Sequence, residues 1–278
     1  MPRFTSYDGT TLAYRVLGHG RPLLCLAGGA GRASAYLGDL GGLSRHRRLV
    51  VLDNRGTGDS DAPADPATYR RDRLSHDVDA LRRHLGLDRI DLLGHSAGAG
   101  IAFTYATDHP DRLDHLVLLT PALRAVDLTP TSQDWARHLE SRSREPWFAD
   151  AAAALERLNA TGGDHDDRLA AAPLFYGRWD DTARAHADAE KTQRSPEALA
   201  GYWAEGAFTP GVTRRALREV DIPVLVHAAD ADPISPPHRC ADLVELMPTA
   251  TLTVQRGGHF PWLDDPDHLV ATLVGFLG

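Results

Sequence analysis

Short apolar runs that alternate with helical stretches constrain the fold of this chain more than any other feature of its sequence. Such runs lie within residues 22–29, 48–58, 89–96 and 113–121. A strand that helices cover on both faces reads as a continuous apolar run, so each run predicts a buried strand. Residues 69–87, between two of the runs, carry apolar side chains at helical spacing. The alternation predicts an α/β domain with a mostly parallel sheet, flanked by helices, whose ligands bind outside the carboxyl ends of the strands.

The N-terminal residues predict a hairpin that precedes this alternation. Strand-like patterns cover residues 3–7 and 10–17. The Asp8-Gly9 dipeptide between them is typical of a type I′ turn. We therefore expect two short antiparallel strands joined by a tight turn.

A long helical segment interrupts the strand pattern. Residues 124–218 have no strand-like run, and such runs resume at 222–230 and 250–258. This arrangement predicts a core formed by residues 1–123 and 219–278, with a helical cap, residues 124–218, inserted after the sixth strand.

Length, charge and cysteine content exclude several classes of protein. The 278 residues can bury a sizeable core, and the net charge of −8 comes from scattered acidic residues without a basic stripe for a nucleic acid. The N-terminus lacks an apolar segment of signal-peptide length, and no run reaches the roughly 18 residues of a membrane span. We therefore expect a cytoplasmic protein without a membrane partner. Cys25 and Cys240, which we interpret as buried thiols, agree with that compartment. The oligomeric state stays open.

The sequence Gly-His-Ser-Ala-Gly at residues 94–98 contains the strongest candidate for a reactive group. Ser96 is either a nucleophile lifted out of the sheet on a sharp turn or an inert hydroxyl in a glycine-rich turn. It follows a strand-like run and precedes a helix-like stretch, and the flanking glycines allow strand and helix to approach closely. A nucleophile at a helix N-terminus also benefits from the helix dipole. We therefore favour the nucleophile.

A serine nucleophile needs a general base, and the base needs a carboxylate that orients it. Asp232 and His259 each come just after one of the last two strand-like runs, so both are expected at the carboxyl edge of the sheet. Asp230 is the alternative acid. We prefer Asp232 because the sequence Pro-Ile-Ser-Pro fixes the loop that follows it.

Backbone donors for a tetrahedral oxyanion are also predicted. The glycine-rich segment after the first buried run offers the N–H of Gly29, and the residue after the nucleophile offers that of Ala97. No cluster of His, Asp and Glu has the spacing of metal ligands, so we expect neither a metal nor another cofactor.

Three motifs together resemble the α/β-hydrolase superfamily and, within it, the proline-iminopeptidase-like group. These are LAGGAG at residues 26–31, DNRGTGDS at 53–60 and GHSAG at 94–98. The first is similar to the group's His-Gly-Gly-Pro-Gly, although Ala27 and Ala30 stand where the group has His and Pro. The resemblance implies the α/β-hydrolase fold over essentially the whole chain.

The resemblance to proline iminopeptidases further implies that carboxylates of the cap bind a positively charged α-amine. Glu190 and Glu205 are the first candidates for this role, ahead of Asp180 and Asp181, although a solvated acidic face is the simpler interpretation of each. Trp179, Tyr202 and Trp203 are candidates for an apolar lining over the serine. Such a lining suits a proline ring, an acyl chain or a polyketide-like ester.

These observations predict a serine hydrolase that cleaves an amide or an ester through an acyl-enzyme. A prolyl aminopeptidase is the sharpest form of that prediction, and an esterase, lactonase or thioesterase for a small hydrophobic metabolite is the alternative. Related folds also serve as perhydrolases, lyases or ligand receptors, and these classes stay open. In each case the expected partner is a small molecule or a short peptide.

Overall fold

One eight-stranded sheet forms the centre of the protein. The structure, a computed structural model, describes residues 1–278. The strand order is β1-β2-β4-β3-β5-β6-β7-β8, with β3 to β8 parallel and the first two strands antiparallel to their neighbours. The strands are β1 (Arg3–Thr5), β2 (Thr11–Leu17), β3 (Pro22–Leu26), β4 (Arg48–Leu52), β5 (Ile90–His95), β6 (Leu113–Leu119), β7 (Val224–Ala229) and β8 (Ala250–Gln255).

The apolar runs form strands because both faces of the sheet are buried. Successive side chains of a strand point to opposite faces, so Leu24 and Leu26 of β3 contribute to one hydrophobic cluster and Leu23 and Cys25 to the other. The two clusters contain 37 and 18 buried residues, which shows that helices or turns cover both faces. The predicted α/β class and mostly parallel sheet are confirmed.

Helices that belong to this core follow their strands closely in sequence. In α1, Leu74, Val78 and Leu81 lie on one buried face, as their spacing predicts. The core helices are α1 (Arg71–His84), α2 (Ala97–Asp108), α10 (Pro237–Val244), α11 (Pro261–Asp264) and α12 (Pro266–Leu277). None of the helices is both long enough and apolar enough to cross a membrane.

Seven further helices lie between β6 and β7. Several begin at a residue that caps them: Thr131 and Asp134 form a capping box, as do Asp164 and Asp167. These helices are α3 (Ser132–Arg142), α4 (Phe148–Thr161), α5 (His165–Ala171), α6 (Asp181–Asp188), α7 (Glu190–Gln193), α8 (Pro196–Tyr202) and α9 (Pro210–Leu217). We call the chain between β6 and β7 the helical insertion. Its place after the sixth strand agrees with the sequence prediction.

The N-terminal hairpin forms, but its turn differs from the predicted type I′ turn. β1 and β2 pair with Thr5 opposite Thr11, which leaves a loop of five residues. Only Gly9 in this loop has a positive φ, 88°, whereas a type I′ turn needs two such residues. The Gly9 N–H donates to the Ser6 carbonyl oxygen, and the Ser6 N–H to that of Thr10. The side chain at position 8 therefore avoids the left-handed conformation that the shorter turn would impose.

Candidate active site

Ser96 lies on the sharp turn between β5 and α2. Its backbone angles, φ 53° and ψ −119°, fall in a region that residues with a side chain rarely adopt, so the turn is strained. A Cβ at Gly94 would come within 2.7 Å of the Gly98 carbonyl oxygen, and a Cβ at Gly98 within 2.5 Å of the Leu26 carbonyl oxygen. The two glycines therefore permit the close approach that puts Ser96 at the carboxyl edge of the sheet.

Asp232 and His259, on the loops after β7 and β8, form a hydrogen-bonded chain with Ser96. His259 Nε2 lies 2.8 Å from Ser96 Oγ, and His259 Nδ1 lies 2.8 Å from Asp232 Oδ2. All three residues are buried. Asp230, the alternative acid, is exposed and accepts a hydrogen bond from the Gly257 N–H. The structure thus brings together the serine, aspartate and histidine that the sequence predicts, and leaves Asp230 outside.

Backbone contacts hold the acid and the base in place. The Ile234 N–H donates to Asp232 Oδ1 at 2.8 Å, which orients the carboxylate. The His259 N–H donates to the Phe175 carbonyl oxygen of the helical insertion at 2.7 Å. A Cβ at Gly258 would lie 2.5 Å from that same oxygen. The loop that carries His259 is therefore packed tightly against the insertion.

The loop after β3 places one predicted oxyanion donor beside Ser96. The Gly28 N–H donates to the Tyr36 hydroxyl at 2.6 Å, whereas the Gly29 N–H has no acceptor within the protein. Ala97 is the first residue of α2, where a backbone N–H has no partner inside the helix. Gly29, Ala97 and Ser96 all line the same cavity. Two free N–H groups are therefore available next to the serine.

A buried hydrogen-bond chain, which the sequence analysis missed, links this loop to the His259 backbone. The Tyr36 hydroxyl lies 2.6 Å from His95 Nδ1, and His95 Nε2 lies 2.9 Å from the His259 carbonyl oxygen. Burial holds the pKa of His95 well below its usual value. The neutral ring donates from Nε2 to the carbonyl and accepts at Nδ1 from the hydroxyl. His95 is the variable residue before the serine of the motif, so the motif itself gives no signal for this role.

A cavity of about 590 Å³ lies over Ser96 and His259, between the sheet edge and the helical insertion. More than half of its lining residues are apolar, among them Leu158, Phe175, Leu199 and Phe260. A concave apolar site with a few polar groups is typical of small-molecule binding.

Two of the five predicted substrate contacts line this cavity. They are Trp203 and Glu190. The Glu190 carboxylate is already engaged, because Arg194 Nε donates to its Oε1 at 2.7 Å and Arg168 Nε lies 3.6 Å away. The Glu190 carboxylate is therefore already ion-paired and is not a free acceptor for an amine.

The other three predicted substrate contacts do not line the cavity. Tyr202 is buried, and its hydroxyl donates to the Ala97 carbonyl oxygen at 2.6 Å. Trp179 packs edge-to-face on Tyr176 with ring centroids 5.3 Å apart. Glu205 is exposed to solvent. Packing of the insertion against the core decides which side chains face the serine, and helical spacing alone did not predict it.

Positive charge in the cavity is a second feature that the sequence analysis missed. Glu190 is the one carboxylate among the lining residues, and four arginines line the cavity: Arg32, Arg124, Arg168 and Arg194. They come from distant parts of the chain, so no local pattern marks them as a group.

Metal ligation and cysteine chemistry have no geometric support. No group of three or more His, Cys, Asp or Glu side chains is arranged to hold a metal ion. Cys25 and Cys240 are both buried and unpaired, and burial raises the pKa of each thiol. A protonated buried thiol is a poor nucleophile.

The sheet order, the strand-turn-helix unit around Ser96 and the cavity at the carboxyl edge are features of an α/β hydrolase. A family model described as "alpha/beta hydrolase fold" matches residues 21–266, and the chain belongs to that family. The protein is therefore a member of a family of hydrolytic enzymes.

Individual relatives refine this assignment. The chain is 26% identical to a proline iminopeptidase of Heyndrickxia coagulans, over 94% of this chain and 91% of that protein. It is 30% identical to an N-formylmaleamate deformylase of Pseudomonas putida, over 84% and 80% of the two chains. The solved structure of a hydrolase from Pseudomonas aeruginosa PA01 matches with a TM-score of 0.73 at 25% identity, over 100% and 98%. The resemblance to the proline-iminopeptidase-like group is confirmed.

Proposed function

We propose that the protein is a serine hydrolase that cleaves an amide or an ester through an acyl-enzyme. The observation that carries the proposal is the chain of 2.8 Å contacts from Ser96 Oγ through His259 to Asp232. A serine hydroxyl becomes nucleophilic when a positioned base removes its proton as it attacks. These three residues have the nucleophile, base and orienting-acid geometry that such an attack requires.

The proposed reaction has two stages with the same proton carrier. Ser96 Oγ attacks the substrate carbonyl carbon while its proton passes to His259 Nε2. The C–N or C–O bond then breaks, and His259 returns the proton to the leaving amine or alcohol. Water attacks the acyl-enzyme in the same way, giving up a proton to His259, and Ser96 leaves with that proton. Asp232 holds the imidazole by its Nδ1 throughout.

The Gly29 and Ala97 N–H groups are the proposed oxyanion hole. Both lack protein acceptors and line the cavity at Ser96, so they are free to bind the developing oxyanion. Removing one such donor in a hydrolase raises the barrier by about 3–4 kcal/mol. The free donors also support a catalytic site over a receptor that has kept only the fold.

Two specificities compete within this proposal. The proline iminopeptidase relatives support a prolyl aminopeptidase, for which Glu190 is the carboxylate in the cavity that could meet an α-amine. The ion pair between Glu190 and Arg194 and the apolar lining support the ester, lactone or thioester alternative. An amine substrate would have to compete with Arg194 for the carboxylate.

We also propose that residues 124–218 act as a cap over a core of residues 1–123 and 219–278. The cavity lies between Ser96 of the core and residues such as Phe175 and Trp203 of the insertion, which supports this division. The unpaired Cys25 and Cys240 fit the expected cytoplasmic location.

A fluorophosphonate probe and two substrates test the proposal. We expect the probe to label the wild-type protein at Ser96 and to leave Ser96→Ala unlabelled. An aminopeptidase would be identified if Glu190→Gln loses turnover of a prolyl arylamide and retains turnover of a short-chain ester. The matched control is Glu205→Gln, because Glu205 is an exposed acidic residue outside the cavity. Ester cleavage without arylamide cleavage would leave the esterase alternative. A protein that the probe does not label would be a receptor or a lyase-like relative.

A further inference from the structure

The cavity over Ser96 combines apolar walls with an excess of positive charge. Four arginines and one glutamate are among its lining residues, and the glutamate is paired with Arg194. His259 and His95 also line it, but neither adds a negative charge. A concave site with low-dielectric walls and one sign of charge concentrates ligands of the opposite sign.

Arg32 is the member of this group whose charge is least compensated. It is only 6% exposed, yet it makes no ion pair with any carboxylate. Its Nε donates to Gln193 Oε1 at 2.7 Å, its Nη2 donates to the His186 carbonyl oxygen at 2.7 Å, and its guanidinium stacks over the Tyr36 ring at 4.5 Å. Burial lowers its pKa, although the charge of nearby Glu190 acts in the opposite direction.

The other buried arginines of the protein differ from Arg32 in their partners or in their position relative to the cavity. Arg47 and Arg55 are each paired with a buried aspartate. Arg71 and Arg142 also lack a carboxylate, but neither of them lines the cavity, and their guanidinium groups donate to backbone carbonyls. Arg32 alone combines burial, the lack of a carboxylate partner and a place in the cavity wall.

Arg32 lies close in sequence to Gly29, one of the proposed oxyanion donors. It lies three residues after Gly29 on the loop that follows β3, and a Cβ at Gly29 would come within 2.7 Å of Arg32 Cβ. The guanidinium is therefore carried by the same loop as the proposed oxyanion donor. Arg124 adds a second uncompensated charge, because it is exposed, makes no ion pair and stacks 5.1 Å from the Trp203 ring in the cavity wall.

We propose that the natural substrate is an amide or ester that carries a carboxylate, and that Arg32 binds this carboxylate while Ser96 attacks the scissile carbonyl. This proposal rests on the proposed function. A guanidinium forms short, charge-assisted hydrogen bonds with a carboxylate, and here the ligand supplies the carboxylate that pairs with Arg32. Arg124 attracts the same anion at the cavity wall.

The first test compares substrates on the wild-type protein. para-Nitrophenyl hydrogen succinate and glutarate carry the carboxylate on the acyl side, and para-nitrophenyl butyrate and valerate are their neutral controls. para-Acetoxybenzoate and its methyl ester form the corresponding pair for the leaving-group side. We expect kcat/KM to favour the anionic member of at least one pair by about tenfold or more, as for a charge-assisted contact. Equal or lower kcat/KM for the anionic member of every pair would overturn the proposal.

The second test uses Arg32→Gln, with Arg32→Lys as the conservative variant. We expect Arg32→Gln to lower the anionic-to-neutral ratio of kcat/KM by about tenfold, mainly through KM, and Arg32→Lys to retain part of it. Arg184→Gln is the matched control, because Arg184 is an exposed arginine of the insertion outside the cavity. An unchanged ratio in Arg32→Gln would contradict the role of Arg32.

Probe labelling separates failure of this inference from failure of the proposed function. A protein that the fluorophosphonate labels and that hydrolyses both members of each pair equally keeps the serine mechanism but lacks the anion site. A protein that the probe does not label and that hydrolyses neither member lacks the serine mechanism itself. If Arg32→Gln does not fold, the wild-type substrate pairs and competitive inhibition by glutarate, compared with glutaramide, still decide the proposal.

Discussion

The core and the helical insertion differ in the size of their own apolar clusters. In the core, two clusters of 37 and 18 buried residues cover the faces of the sheet. The cluster within the insertion contains four buried residues, Ala172, Tyr176, Ala183 and Ala187, three of which are alanines. Burial of apolar area is the main source of folding free energy, so the insertion has little stability of its own.

Apolar and polar contacts to the core both position the insertion, and Tyr202 and Leu217 belong to the larger core cluster. The Ala33 N–H donates to the Gln193 carbonyl oxygen, and the Ser195 N–H donates to the Gly31 carbonyl oxygen, both at 2.8 Å. The Tyr202 hydroxyl donates to the carbonyl oxygen of Ala97, next to the proposed nucleophile. The comparison teaches that the core determines whether the protein folds, whereas contacts with the core determine where the insertion lies.

The largest expected effect is a loss of catalytic activity without a loss of stability, and it concerns Asp232 of the core. Asp232→Asn keeps an acceptor for the Ile234 N–H but offers an amide donor to His259 Nδ1, which disfavours the catalytic tautomer. We expect kcat to fall about 10³–10⁴-fold with little change in the melting temperature. Asp230→Asn, at an exposed neighbouring position, is the control and should retain activity. A loss of kcat below about tenfold in Asp232→Asn would contradict the proposed role.

The next largest effect compares apolar truncations in the two regions. Leu118→Ala, in the large core cluster, should lower the free energy of unfolding by about 2–5 kcal/mol. Leu169→Ala, a partly buried position beside the small insertion cluster, should cost about 1 kcal/mol or less. Denaturant titration of both variants measures the difference. Equal losses would show that the insertion has a substantial core, and the comparison above would fail.

Acid should weaken both regions through one histidine in each. Burial lowers the pKa of His227, in β7, and of His186, in the insertion, to about 4. The unfolded chain binds these protons near the usual pKa of 6.5, so stability falls as the pH drops from 6.5 towards 4. Each histidine should cost about 2 kcal/mol at pH 5 relative to pH 7.

Two measurements assign this acid sensitivity to each region. Thermal unfolding reports the core, and amide exchange of α6 to α9 reports local opening of the insertion. His186→Gln should reduce the pH dependence of the exchange while leaving that of the melting temperature nearly intact. The same pH dependence in both measurements, with and without the substitution, would mean that the two regions unfold together.

The smallest effect probes one contact between the regions. Tyr202→Phe removes the hydroxyl that donates to the Ala97 carbonyl oxygen and leaves the ring in place. We expect a loss of about 1 kcal/mol, seen as faster amide exchange in α8. Tyr105→Phe, which removes a buried hydroxyl of α2 outside this contact, is the control. Unchanged exchange in Tyr202→Phe would show that this hydrogen bond does not fix the insertion.

Sequence reasoning succeeded where local pattern decides structure. Continuous apolar runs predicted the strands because a buried parallel sheet leaves no polar face. The Gly-x-Ser-x-Gly spacing predicted the turn at Ser96 because only glycines tolerate the observed backbone approach. Asp232 and His259 were found from their places after β7 and β8, since parallel strands bring such loops to one edge.

Sequence reasoning failed where packing between distant segments decides. Trp179, Tyr202 and Glu205 are aromatic or acidic residues of the insertion, but none of them lines the cavity. No motif marks Arg32, and only the structure shows that its side chain has no carboxylate as an ion-pair partner. His95 likewise gains its role from Tyr36 and the His259 carbonyl oxygen.

The hydrogen bond from the His259 N–H to the Phe175 carbonyl oxygen joins the proposed base directly to the helical insertion. If the insertion swings outward to admit a molecule, it withdraws the acceptor that holds the backbone of the base. The position of the insertion therefore bears on the geometry around the imidazole as well as on the shape of the cavity.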